Sequence, residues 1–117
     1  MPDYDPNCIF CKIARREIPA DLVHDDGEVA VFRDINPQAP VHVLVIPARH
    51  LPSLDEARAE PALLGKLLAI AGLIAAQQGL GERGYRVVIN TGADAGQSVG
   101  HLHLHLLGGR ALGWPPG

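Results

Sequence analysis

The chain has 117 residues and a formal charge of -3, with 10 Lys and Arg against 13 Asp and Glu. That length suits a single domain, 1–117, short enough that a second copy would add much buried surface, and the balance of charge offers no basic face for nucleic acid. The polar start MPDYDPNC lacks the basic and apolar regions of a secretory signal, and the longest apolar run, Leu67 to Ala76, is about half a bilayer span, so a cytoplasmic protein away from membranes is expected.

Cys8 to Arg16 reads as a short helix with Ile9, Phe10 and Ile13 turned inward. Leu22 to His24 and Val29 to Arg33 flank Asp25-Asp26-Gly27, a hairpin signal. Asn36 to Pro40 is a loop, because each proline disfavours helix in the residue before it, and Val41 to Ile46 is a β-branched run suited to a buried central strand. Pro61 to Gln78 is the main helix, with proline at its first position and Gly79 and Gly81 beyond its end. Its apolar residues surround so much of the cylinder that cover on more than one side is expected, which favours a dimer. Tyr85 to Thr91 reads as a strand, Gly92 to Gly100 as a glycine-rich loop and His101 to Leu107 as a last strand; the tail from Arg110, ending Trp114-Pro115-Pro116-Gly117, cannot be helical. The sum is an α+β fold, an antiparallel sheet of about five strands with one long and one short helix.

The densest chemical signal is His101-Leu102-His103-Leu104-His105-Leu106-Leu107. On a strand, alternate side chains point to opposite faces, so the histidines line one face about 6 to 7 Å apart while the leucines enter the core. A single histidine there would suit a plain polar surface; three in strict alternation point to function. One option is a metal site, since imidazoles at i and i+2 can share an ion, although Asp94 is the one carboxylate nearby. The preceding loop favours another option. Its glycines could turn backbone amides onto an anion, with Ser98 as an extra donor, and a phosphate beside a neutral imidazole allows in-line displacement through a phosphohistidine. His42, on a separate strand, and His105 are candidates to orient the attacking ring or touch phosphate.

With that pattern the chain resembles the histidine-triad (HIT) superfamily, whose hallmark is His, apolar, His, apolar, His and two apolar residues. It is similar to the Hint branch in particular through Asp34-Ile35-Asn36-Pro37-Gln38-Ala39-Pro40, Val43 to Pro47, Gly108-Gly109-Arg110 and Trp114-Pro115-Pro116-Gly117. The resemblance runs from about Cys8 to the last residue. It implies a homodimer with one sheet continued across the interface, a purine nucleotide pocket in each protomer, and hydrolysis of AMP joined to an amine. It implies His103 as the nucleophile on the α-phosphate, with His105, His42 and Ser98 completing the catalytic group. Gly96, Gln97, Ser98 and Val99 would border the phosphate, Asn90 would help place phosphate or sugar, and Asp34 would bind the ribose hydroxyls. Ile9, Phe10, Phe32 and Ile35 would enclose the base, although core packing explains Ile9 and Phe10 as well. Trp114 would reach towards the partner's site and influence the leaving group. Gly100 stands where relatives often carry a bulkier residue, which bears on the flexibility of the loop edge.

Cys8-Ile9-Phe10-Cys11 has the spacing of a zinc knuckle, but two cysteines fill only half a tetrahedral site. His50 and His101 are available once His42, His103 and His105 are assigned to chemistry, and bacterial relatives with such cysteines hold a structural zinc with this ligand set. A redox pair and two inert buried thiols are the other readings. His24 has no expected partner and is placed at the surface. Against the phosphoramidase stand a dinucleoside polyphosphate hydrolase or nucleotidylyltransferase of a neighbouring branch, a non-catalytic nucleotide-binding or scaffold protein, and a metalloenzyme centred on the triad.

Overall fold

In the computed structural model, residues 3–117 are described. The elements run α1 (Ile9–Ala14), β1 (Leu22–Asp25), β2 (Val29–Arg33), β3 (Val41–Pro47), α2 (Leu54–Ala57), α3 (Pro61–Gln77), β4 (Tyr85–Val88) and β5 (Leu104–Gly108). All strand pairs are antiparallel, in one five-stranded sheet of order β1-β2-β3-β5-β4. The expected β1–β2 hairpin forms because Asp25 and Asp26 accept the amides of Gly27, Glu28 and Val29, while Gly27 takes φ +87°, a conformation that costs other residues. His24 does have a partner there: its Nε2 lies 3.1 Å from Asp26 Oδ2.

β3 is central, as its β-branched run indicates. In its ladder with β5, Leu44 faces His105 and His42 faces Leu107, so those four share one side of the sheet. On the opposite side Val43, Val45, Leu104 and Leu106 pack with Leu67, Ala71 and Ile74 of α3. The histidine side is not bare, for α1 covers part of it with Phe10, Cys11 and Ile13 over Ala30, Phe32, Leu44 and Ile46.

Three expectations about elements need correction. A third helix, α2, is present; Ser53 Oγ accepts the Asp55 amide and bonds Glu56, a capping pattern visible in Ser53-Leu54-Asp55-Glu56 but joined to a helix of one turn. The last strand begins at Leu104 rather than His101. Beyond Val45 the neighbouring strand offers Pro47, which has no N–H and whose carbonyl is taken by the His101 ring, while the Leu102 amide turns to Leu51 O. β4 likewise stops at Val88, where its pairing with β5 ends at His105. Among the described residues, α3 is covered on the side that faces the sheet. Leu63, Leu67, Ala71, Ile74 and Ala75 are buried, but Leu68 and Leu73 are 51% and 46% exposed. The tail lies near β4, where Arg86 Nη2 donates to Gly113 O at 2.8 Å.

Candidate active site and metal centre

A cavity of about 690 Å³ opens on the histidine side of the sheet. Ile9, Phe10 and Ile13 of α1, Phe32 of β2 and Leu44 of β3 form its apolar walls, and Asp34, Ser98, His103 and His105 supply polar groups. A largely apolar cleft with a few converging polar groups is the usual form of a small-molecule site. The expected Ile35 and Val99 also line it; Ile35 is fully exposed at the rim.

Hydrogen bonds assign each imidazole's protons. His103 Nδ1 lies 2.7 Å from His101 O, and a carbonyl only accepts, so Nδ1 carries hydrogen and the neutral ring keeps its lone pair on Nε2. His42 is held the other way round: the Gln38 amide donates to its Nδ1 at 3.0 Å, leaving the ring proton on Nε2. That Nε2 lies 2.9 Å from His105 Nδ1 and 3.4 Å from Asp34 Oδ2, so it donates to His105, whose own proton therefore sits on Nε2. Burial lowers the affinity of both rings for a second proton, taking His105 down to about 4 and lowering His42 against the opposing pull of Asp34. With neutral rings the hydrogen bonds leave a pair of unlike nitrogens, an acceptor on buried His103 and a donor on His105, with ring centres 5.1 Å apart.

Asp34, His42 and His105 also have the composition of a metal triad. The Gln38 amide argues against that use, because a neutral His42 ring accepting at Nδ1 has no lone pair left at Nε2.

Cys8, Cys11, His50 and His101 come together behind α1, with ligand atoms all within 4.8 Å of one another. Cys8 Sγ and Cys11 Sγ lie 3.4 and 3.6 Å from His101 Nδ1, and Cys11 Sγ is 3.3 Å from His50 Nδ1. Tetrahedral zinc, with bonds of about 2.3 Å to sulfur and 2.0 Å to nitrogen, sets S···N edges of about 3.5 Å. His101 donates its Nε2 proton to Pro47 O at 2.8 Å, which turns the Nδ1 lone pair into the cluster, the usual outer support of a ligating imidazole. The amides of Asp5 and Cys11 donate to the sulfurs of Cys11 and Cys8. Burial first, then the neighbouring Cys8 and the Asp5 carboxylate, push the Cys11 thiol up to about 11 against the opposing Asp5 amide, a cost that a cation in the cluster reverses. The donor set therefore fits a structural metal of the zinc kind.

Several expected residues stand elsewhere. Gln97 does not face the cavity: its Oε1 accepts the Gly92 amide and its Nε2 donates to Pro52 O and Val99 O, so the side chain braces the loop from within. Gly96 lies in that loop at φ +78°, outside the cavity wall, as does half-buried Asn90. Trp114 is 81% exposed and takes no part in the cavity wall. Sequence reasoning missed Ile18, Pro19, Ala20, Asp21 and Arg33, which close the cavity's far side. The connection from α1 to β1 carries no motif; Ile13 and Leu44 were missed as well, although Leu44 stands two residues beyond His42 on the same face.

The HIT domain family model matches residues 15–112, a span that holds the sheet, the cavity histidines and two of the four metal donors. The chain is 51% identical over 106 residues to the purine nucleoside phosphoramidase of Escherichia coli K12, covering 90% of this chain and 89% of that protein. The crystal structure of a HIT family hydrolase from Legionella pneumophila superimposes with a TM-score of 0.92 at 49% identity, covering 95% of this chain and all of that one. A zinc-bound histidine triad family protein from Mycobacterium smegmatis is similar at a TM-score of 0.79 and 33% identity, covering 89% of this chain and 76% of that one. The chain belongs to the HIT domain family.

Proposed function

We propose that the chain hydrolyses purine nucleotide phosphoramidates, AMP joined to an amine, through a covalent nucleotidyl intermediate on His103. The observation that carries this reading is the pairing of a bare His103 Nε2 with a His105 Nε2–H in one apolar cavity. The free nitrogen attacks the α-phosphorus as the phosphorus–amine bond breaks, and the departing nitrogen takes a proton from solvent beside Ser98 and leaves as the free amine. Water then cleaves the phosphorus–imidazole bond and releases AMP. The His105 donor meets charge growing on the phosphoryl oxygens, and its proton is held in place by His42. The base lies among Ile9, Phe10, Phe32 and Ile35, and the ribose meets Asp34, whose Oδ1 already accepts the Asn36 amide. Gly96, Gln97 and Val99 contribute backbone rather than side chains, and Asn90 supports the phosphate side.

The same reading makes the protein a cytoplasmic homodimer with a structural zinc on Cys8, Cys11, His50 and His101. The zinc is supported by the S···N spacing and by the zinc-bound relative. The dimer is supported by half-exposed Leu68 and Leu73 on α3 and by β4, an edge strand along which a second copy would continue the sheet and bring Trp114 towards the partner's cavity.

The test is turnover of an adenosine phosphoramidate, beside a dinucleoside polyphosphate, by the wild type and His103→Asn. Turnover should fall at least about 10³-fold in the variant with nucleotide affinity retained, and an acid-quenched wild type should carry an AMP adduct on His103. Full activity in the variant would remove His103 from the reaction; preference for the dinucleotide would move the protein to the neighbouring branch.

A further inference from the structure

Arg110 is exposed at the corner after β5, outside the cavity, yet each of its three guanidinium nitrogens donates a hydrogen bond. Nε and Nη2 both donate to the Gln38 carbonyl, at 3.1 and 2.9 Å, and Nη1 donates to Ala111 O at 2.8 Å. The two-pronged grip needs a planar fork, which lysine does not have.

What it grips is the residue that sets the proton on His42. Gln38 stands between Pro37 and Ala39-Pro40, its side-chain amide donates to Asn36 O, and its backbone amide donates to His42 Nδ1. The next residue towards β5, Gly109, takes φ +91°, and a Cβ there would come within 2.9 Å of Pro40 Cβ, so the corner lies flat against the same loop. One unbroken chain of contacts thus runs from an exposed arginine through Gln38 and His42 to His105.

We infer that Arg110 is a positioning residue for the reaction: by clamping Gln38 it holds His42 as the Nε2–H tautomer and thereby keeps His105 presenting a donor to the cavity. The inference rests on the proposed role of His105 and adds a residue that touches neither substrate nor the reacting atoms. With the clamp loosened, the Gln38 amide drifts from Nδ1 and His42 is free to place its proton on either nitrogen. His105 then loses its fixed donor, and the His105 ring presents a mixture of donor and acceptor to the phosphate.

The test uses Arg110→Gln, Arg110→Lys and Arg110→Ala in the full chain, with two readouts. Long-range proton–nitrogen NMR of the histidine rings reports which nitrogen of His42 is protonated, and steady-state kinetics with an adenosine phosphoramidate separate kcat from KM. In Arg110→Gln, His42 should shift from a single Nε2–H form towards a mixture. Its kcat should fall about 10- to 100-fold, the scale of losing an outer hydrogen bond that orients a functional imidazole, with KM little changed. Arg110→Lys should rescue only part, and millimolar guanidinium should restore part of the rate of Arg110→Ala. Unaltered His42 ring signals in Arg110→Gln overturn the proposal, even if the melting temperature falls; so does a tautomer shift without loss of kcat. If the wild type does not turn over the phosphoramidate, the proposed reaction fails separately and the ring spectrum alone decides the clamp.

Discussion

Each ring in the cavity has at least one nitrogen committed to a partner fixed by the backbone or by another ring, and this governs how the site responds to acid. His105 shows the sign. Its unfolded value is the ordinary 6.5, whereas burial, reinforced by the nearby His103 and His42, holds it down to about 4 in the folded chain. Between those values the unfolded chain binds a proton that the folded chain refuses, so His105 favours unfolding increasingly as pH falls from 6.5 to about 4, and costs nothing above that window. His42, lowered by burial, acts in the same direction. Urea melts taken from pH 7 to pH 4 should show stability declining across the window, and His105→Gln should flatten the slope. An equal slope in that variant would show that His105 has no part in the acid response.

At the scale of the element, α1 is six residues long, well below the 12 to 15 that an isolated helix needs in water. Its place is secured by Cys8, whose sulfur caps it, by Cys11 within it and by the packing of Phe10 edge-on against Phe32, His101 and His103. Because the same helix supplies Ile9, Phe10 and Ile13 to the cavity, the candidate metal cluster and the cavity wall share one support. Cys8→Ala should therefore lower the melting temperature by about 10 °C. It should also speed amide exchange through Ile9–Ala14 and weaken nucleotide binding, leaving any covalent step on His103 in place. An unchanged melting temperature and zinc content would reject the metal site. The pairing of C-x-x-C with two histidines was legible in the sequence; the braced loop was not. Gln97 reads equally well as a phosphate ligand or as an internal strut, and only the positions of Gly92, Pro52 and Val99 show that its side-chain amide is fully engaged.

For the whole molecule, the asymmetry of α3 matters most. One side is closed against β3 and β5, while Leu68 and Leu73 stand half exposed, with no charged residue between them. Two such leucines recover about 1.5 to 3 kcal/mol each when fully buried, somewhat less here because part of each is already covered. In the proposed dimer, Leu68→Asp should yield a monomer by size exclusion with light scattering, at little cost to the core of each protomer. A variant still dimeric at micromolar concentration would place the interface elsewhere.

The sheet's alternation, the central place of β3, the limits of α3 to within a residue and the residue types of both clusters are legible in the order of the residues. These follow from local rules: period two on strands, proline and glycine at helix ends, and donor spacing in C-x-x-C. Tertiary structure alone decided that the histidine side lies under α1, that the strand forms its ladder only from Leu104, that His24 meets Asp26, and that Arg110 reaches Gln38 from 72 positions away. Each of these depends on where the backbone stops pairing or on which carbonyl lies within reach of a side chain. No periodicity encodes those distances, because they arise only when segments remote in sequence are packed together.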